Sequence, residues 1–299
     1  MKKMLASFGK VIEDASLAEY NTFQLNSKVK YLCFPDSIGD LIRLIKYLKE
    51  TNSKYLILGN GSNVIFKDDY YDGVFIKLSE LNNCEIHDAI DIVFAEAGIL
   101  LPNLVSEAVN HNRKGLEFAA GIPGTLGGAI YGNAGAYNSC IMDFVVSVTV
   151  LDQDLKVIKI PKAEITYSYR HTSFKDNKEL IILAVELLLV PGTKEGSMEL
   201  MADRLNRRRE SQPLEYPSAG SVFRNPPNDF AGRLIEECGL KGYSIGGAQV
   251  SEKHANFIIN YNNATNDDVT KLINEVHHQV LTKEKIDLLI EQEFISWEG

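Results

Sequence analysis

Six of the chain's 22 glycines fall in the 15 residues from Gly121 to Gly135, where an even spread would put about one, and each glycine costs more chain entropy on folding than any other residue. So dense a cluster means that a ligand or another stretch of backbone comes closer than a Cβ permits. A second small-residue loop, Gly59 to Asn63 (GNGSN), separates the apolar runs Tyr55–Leu58 and Val64–Phe66. Successive main-chain NH groups in such turns form anion-binding nests. The Gly121 loop is also placed to open a helix, whose N-terminus would add to the field. A plain turn explains the Gly59 loop as well, and tight packing of helix on sheet explains the Gly121 loop. Both in one chain point to a ligand with a long pyrophosphate body, a dinucleotide rather than a mononucleotide. Neither loop carries Gly-x-Gly-x-x-Gly after a first strand or GxxxxGK[ST], which argues against Rossmann and P-loop nucleotide sites.

Periodicity places the loops in an α+β chain. Ile38, Leu41, Ile42, Ile45 and Leu48 recur at helical spacing after Ser37, a good N-cap. Short apolar strands are expected at Val29–Phe34, Tyr55–Leu58, Val64–Phe66 and Val74–Leu78, with alternating strands from Ile86 to Gly98. A helix follows over Leu101–His111, then strands at Val145–Leu151, Val157–Ile160 and Leu180–Leu189, and a polar helix at Ser197–Arg209. The last third reads as helices at Ala231–Cys238 and Asn266–Lys283, a strand at Ala255–Asn260, and a strand-like tail from Ile286 to Ile295. The expected domains are 1–80, 81–200 and 201–299.

At 299 residues, with 45% hydrophobic and 24% charged residues, the chain has an ordinary globular composition. Its 31 basic and 40 acidic residues give −9, which disfavours nucleic acid and anionic membrane as partners. A small anionic ligand responds to the local field of its cleft instead. Cys33, Cys84, Cys140 and Cys238 are scattered, with no CxxC, so they read as buried or half-buried thiols of a reducing compartment. No signal peptide and no run approaching the ~18 apolar residues of a spanning helix are evident, and a cytoplasmic protein is expected. No metal-ligand spacing, GxSxG or HExxH occurs.

Three places carry chemistry. Arg170, in the Tyr167 to Arg170 stretch, offers a rigid cationic fork for a carboxylate, although a surface ion pair would use the same residue. Ser221 follows Gly220 in a tight loop; with no histidine nearby in sequence it is a poor nucleophile, but it can pass a proton. Glu291 and Glu293 stand at i, i+2 in the tail, on one face if that tail is a strand.

Taken together, several stretches resemble the UDP-N-acetylenolpyruvoylglucosamine reductase family, in its shorter type II form. They are Leu58–Asn63 (LGNGSN), Gly115–Gly124 (GLEFAAGIPG), Asn133–Tyr137 (NAGAY), Tyr169–Arg170, Gln212–Phe223 (QPLEYPSAGSVF), Gly239–Gly242 and Ile245–Asn256 (IGGAQVSEKHAN). They occur in the family's order over nearly the whole chain. The resemblance implies an FAD-binding fold of the vanillyl-alcohol-oxidase type in two subdomains, with a C-terminal α+β substrate domain closing over the substrate. It implies FAD lying non-covalently between the glycine loops, and NADPH as co-substrate. The flavin contacts would be Gly59, Asn60, Gly61, Ser62, Asn63, Gly121, Ile122, Pro123, Gly124, Gly127, Gly128, Asn133, Ala134, Gly135 and Ala136. Arg170, Ser221 and Glu291 would be catalytic, with Tyr169, Asn225 and Gln249 on a UDP-sugar substrate. No metal is implied, and a monomer is slightly favoured.

The chain departs from the family pattern in three places. Asn26-Ser27 replace a usual Gly-Gly turn, Ser211 stands where a lysine is common, and Gln292 rather than valine follows Glu291. A phosphate contact of the missing lysine would pass to Arg208 or Arg209. Counting back from the apolar end picks Glu293 as the active glutamate; counting forward without gaps from Ile286 picks Glu291, which is preferred. Two alternatives remain at this point: a flavin oxidase of the same fold, and a flavin-binding protein without turnover.

Overall fold

A computed structural model describes residues 1–87 and 90–297. By contact they form two compact units, each assembled from separated segments. The first comprises Met1–Glu13, Tyr31–Asn60 and Gly73–Arg207, and the second Asp14–Lys30, Gly61–Asp72 and Arg208–Gly299.

The first unit carries one continuous core. Its helix Ile38–Glu50 is started by Ser37, whose side chain accepts from Asp40 N, and it buries Leu41, Leu44, Ile45 and Leu48. Leu41, Ile45 and Leu48 are positions that its periodicity marks. A four-stranded sheet has the order Gly9–Ser16, Lys28–Pro35, Tyr70–Lys77, Tyr55–Leu58. Tyr55–Leu58 runs parallel to its neighbour, with Leu58 opposite Lys77. A five-stranded sheet follows, in the order Val157–Pro161, Val145–Leu151, Ile181–Leu188, Ile92–Glu96, Cys84–Ile86. All its pairings are antiparallel. Val74 and Ile76 of the four-stranded sheet share a cluster with Val93, Val148 and Val185 of the five-stranded one, so both sheets contribute to the same core.

The second unit has its own core, built from Phe23, Leu25, Ile65, Phe223, Ile258 and the inner face of helix Asn266–Glu284. That helix begins with a reciprocal capping box: Thr265 caps Asp268 N, and the Asp268 carboxylate accepts from Thr265 N. A three-stranded sheet orders Ser244–Ile245, Ala248–Val250, Ile258–Asn260. Val64–Phe66 pairs in parallel with Glu293–Ile295, Val64 opposite Glu293.

Both residues of the Asn26-Ser27 departure have structural roles. Ser27 is fully buried, and its Oγ accepts from Asn266 Nδ2 at 2.9 Å. Asn26 Oδ1 accepts from Ser16 Oγ at 3.2 Å. The turn that lacks glycines is therefore tied to its surroundings by side chains. The tail is strand only at Glu293–Ile295, because Ile290 makes a single bridge to Phe223. Glu291 thus precedes the strand rather than sharing its face with Glu293. Cys33 and Cys238 are buried and Cys84 and Cys140 half-buried, all as free thiols; burial pushes Cys33 up to about 12 and Cys84 to about 11. Among the described residues no helix is long and apolar enough to cross a membrane.

Candidate functional site

In the first unit Gly59 and Asn60 meet the Gly121 loop. Asn60 Nδ2 donates to Pro123 O at 2.6 Å, and a Cβ on Gly59 would lie 3.0 Å from Thr125 Oγ1. Lys77, only 8% exposed, comes from the adjacent strand and donates from Nζ to Gly59 O at 2.7 Å. Burial lowers its pKa to about 8. The main-chain NH groups of Asn60, Gly61 and Ser62 donate no hydrogen bond among the described residues. They form the open donor set that an anionic ligand needs. These residues fit the pyrophosphate of a flavin dinucleotide.

The Gly121 loop is more self-satisfied than the expectation of a helix N-terminal field. The helix it opens, Leu126–Gly132, has only seven residues. Its first three NH groups are already used: Leu126 N by Ile99 O, Gly127 N by Ala97 O, and Gly128 N by Thr125 Oγ1. Packing itself demands two of the glycines, since a Cβ on Gly127 would meet Ala97 Cβ at 3.0 Å and one on Gly135 would meet Ser139 O at 2.5 Å. The cluster therefore has a packing cause alongside any ligand. Gly132 has open space beside it.

The end of this loop holds Arg170. Asn133, 4% exposed and left-handed at φ 44°, donates from Nδ2 to Ser168 O at 2.8 Å. Arg170 Nη1 donates to Gly135 O at 2.9 Å. Arg170 occupies the turn between the two-residue strands Tyr167–Ser168 and His171–Thr172, at φ 59°, a left-handed position that strains a residue with a Cβ. Its guanidinium lies over the Tyr169 ring at 5.3 Å, and Tyr169 is 54% exposed. The side chain of Asn133, expected on the flavin, is thus engaged in holding the arginine turn.

In the second unit Ser221 lies on a ribbon pinned from several sides. Val222 N donates to Asn256 O at 2.9 Å, and Glu291 N donates to Val222 O at 2.8 Å. Asn256 brackets Phe223, accepting from its N at 3.0 Å and donating to its O at 2.8 Å. Asn63 Nδ2 donates to Glu291 O at 3.2 Å, whereas Glu293 N donates to Asn63 O at 2.9 Å. The backbone of Glu291 is thereby bonded next to Ser221, and Glu293 belongs to the strand beyond.

Ser221 and Asn225 line one cleft of about 330 Å³ with Arg233, Glu236, Lys253 and His254. Sequence reading missed the last four, because nothing in their spacing marks them; the fold alone assembles them. Arg233 is engaged by Asp229 and Glu237. Lys253 Nζ donates to Arg209 O at 2.6 Å, which puts an ammonium two residues from Ser211, where the expected lysine is absent. His254 accepts from Asn256 N on Nδ1, and burial holds its pKa below the usual imidazole range. Asn225 Oδ1 accepts from Ala231 N. Gln249 Nε2 is occupied by Gly242 O and Ser244 Oγ.

Lys77 yields a pH prediction. A lysine whose folded pKa is depressed contributes stability that is present above its unfolded pKa and lost as pH falls through the folded value. Relative to Lys77→Met, the wild type should therefore gain up to about 3 kcal/mol as pH rises from the folded to the unfolded lysine value, at about 1.4 kcal/mol per unit. Chemical denaturation of the two proteins along that pH series measures it. A pH-independent difference would mean that the ammonium is not desolvated. The variant also frees Gly59 O, and flavin retention should weaken about tenfold.

Residues 29–160 match the FAD binding domain family, and residues 212–295 match the family described as UDP-N-acetylenolpyruvoylglucosamine reductase, C-terminal domain. The UDP-N-acetylenolpyruvoylglucosamine reductase of Caldicellulosiruptor saccharolyticus is 42% identical over 283 residues, covering 94% of this chain and 90% of its own. The crystal structure of UDP-N-acetylenolpyruvylglucosamine reductase from Thermus caldophilus superposes with a TM-score of 0.80 at 32% identity, over 96% of this chain and 98% of that one. A glucose oxidase, a variant of Phl p 4, reaches a TM-score of 0.50 at 11% identity over 76% of this chain and 53% of its own, a likeness of fold alone. The fold is the FAD-binding fold of the vanillyl-alcohol-oxidase type joined to a C-terminal α+β domain. With family matches at both ends and relatives aligned over nearly its full length, the chain belongs to the UDP-N-acetylenolpyruvoylglucosamine reductase family.

Proposed function

We propose that the chain is an FAD- and NADPH-dependent reductase that converts the enolpyruvyl ether of a UDP-N-acetylglucosamine derivative to the lactyl ether of UDP-N-acetylmuramate, in cytoplasmic peptidoglycan precursor synthesis. In this reading residues 1–80 and 81–200 hold the flavin and 201–299 the substrate, and the protein works as a monomer without nucleic acid or membrane. When bound, FAD supplies a hydride, drawn from NADPH, to the vinyl CH2 carbon.

The remaining chemistry falls to side chains. As hydride adds to the CH2 carbon, the C=C pair moves onto the carboxyl-bearing carbon and its carboxylate. Arg170 neutralises that growing charge, by the logic of an oxyanion site, and Glu291 assists on the same carboxyl. Ser221 gives its hydroxyl proton to the carbon, completing the lactyl ether, and solvent restores the hydroxyl. Serine is a weak acid, but the carbon it faces is strongly basic, and fixed geometry makes the transfer effectively intramolecular. Tyr169, Asn225 and Gln249 contact the sugar nucleotide, and the open NH groups of Asn60, Gly61 and Ser62 take the flavin pyrophosphate. The observation that carries the reading is the bond from Glu291 N to Val222 O, which joins the glutamate to the residue after the proposed proton donor.

The purified protein should be yellow and should oxidise NADPH only when the enolpyruvyl sugar nucleotide is present. Steady NADPH oxidation or rapid oxygen consumption without that substrate would point to the oxidase alternative and defeat the reductase reading. A yellow protein with no turnover at all would favour a flavin-binding role.

A further inference from the structure

Gln292 is 4% exposed and directly follows Glu291. Its Nε2 donates to Ala219 O at 3.0 Å and to Gly220 O at 3.2 Å, the two carbonyls that precede Ser221. Its Oε1 accepts no hydrogen bond among the described residues, so what holds the side chain is its pair of amide hydrogens. Gly220 stands at φ +75° with nothing within 4 Å of where a Cβ would sit. A glycine with that much room swings easily, and Ser221 is the residue that would swing with it. Downstream, Asn256 already brackets Phe223.

We propose that Gln292 is a positioning residue for proton delivery: it clamps the Ala219–Gly220 peptide carbonyls and so aims the Ser221 hydroxyl. The inference rests on the reading of Ser221 as proton donor. Two side-chain amides, Gln292 before Ser221 and Asn256 after it, immobilise a turn that glycine would otherwise leave loose. Valine at this position would have no donor for either carbonyl.

The test uses Gln292→Val and Gln292→Glu holoenzymes beside Ser221→Ala, with stopped-flow absorbance of the flavin band and hydrogen exchange of the 218–224 segment. In Gln292→Val, bleaching by NADPH should match wild type, while return of the band on adding substrate slows roughly ten- to a hundredfold. KM for the sugar nucleotide should change little, and the 218–224 amides should exchange faster. In Gln292→Glu a protonated carboxyl donates one bond, but an ionised one repels both carbonyls. Its return rate should therefore fall as pH rises, a dependence that Gln292→Val does not share. Wild-type exchange and return rates in Gln292→Val, or equal slowing of both half-reactions, would overturn the inference. If Gln292→Val fails to fold, a pH-independent deficit in Gln292→Glu overturns it alone. If Ser221→Ala itself returns at the wild-type rate, the proton-donor reading has failed instead.

Discussion

Ser221→Ala should bleach with NADPH within about twofold of wild type, yet regain its flavin colour on substrate about a thousandfold more slowly, the range of a lost general acid. The asymmetry follows from where the hydroxyl acts. Taking hydride from NADPH leaves no basic carbon to protonate, so the first half-reaction has no use for Ser221. The second half-reaction leaves charge on the substrate that must be discharged by a proton. The methyl of alanine fits the Ser221 position, and its main-chain bridge to Phe257 does not depend on the side chain, so folding should be preserved. Ser221→Cys is the informative companion: a thiol is a stronger acid and should recover some of the rate. Equal loss in both half-reactions would assign Ser221 to binding or structure.

Arg170→Gly should lower kcat by about 10²- to 10³-fold, the scale of removing one charge-stabilising donor at an oxyanion, while leaving the melting temperature within a few degrees of wild type. The left-handed φ of 59° makes glycine the decisive choice. Relief of that backbone strain, about 1 kcal/mol, offsets the lost bond to Gly135 O and the lost stacking on Tyr169. A turn kept and a charge removed separates the two roles that an arginine in this place could have. Arg170→Lys should fall in between on rate, because an ammonium keeps the charge but lacks the planar fork. Full activity in Arg170→Gly would make the arginine a turn residue only.

The regular elements were largely legible because their burial follows their periodicity. Helix Ile38–Glu50 buries Leu41, Ile45 and Leu48, which its spacing marks, and is capped by the serine that the pattern names. The strand Gly9–Ser16 was not legible: only Ala15 in it is buried, and a polar edge strand leaves no alternation to read. The tail misled for the opposite reason. Its apolar residues alternate well enough for a longer strand, but the bonds from Glu291 N and Arg224 N belong to single bridging contacts rather than a ladder.

The candidate site was legible where residue type alone announces chemistry, as with Arg170, Ser221 and the glycines. It was not legible where a common residue does an uncommon job. Nothing about Gln292 or Asn133 in sequence says that one grips two carbonyls and the other a turn. Likewise Lys253 and His254 enter the Ser221 cleft only once the strands around them are in place. Spacing reports neighbours on one element, and these partners come from different ones.

The parallel pairing of Val64–Phe66 with Glu293–Ile295 also bears on synthesis at the ribosome. The earlier strand emerges long before its partner exists, as does Ser27, which waits for Asn266. The second unit can therefore close only after translation has passed its last strand, while most of the first has had time to settle. A nascent chain stalled before Glu293–Ile295 has emerged would display Phe23, Leu25 and Ile65, all fully buried in the finished protein, as exposed apolar surface of the kind chaperones bind.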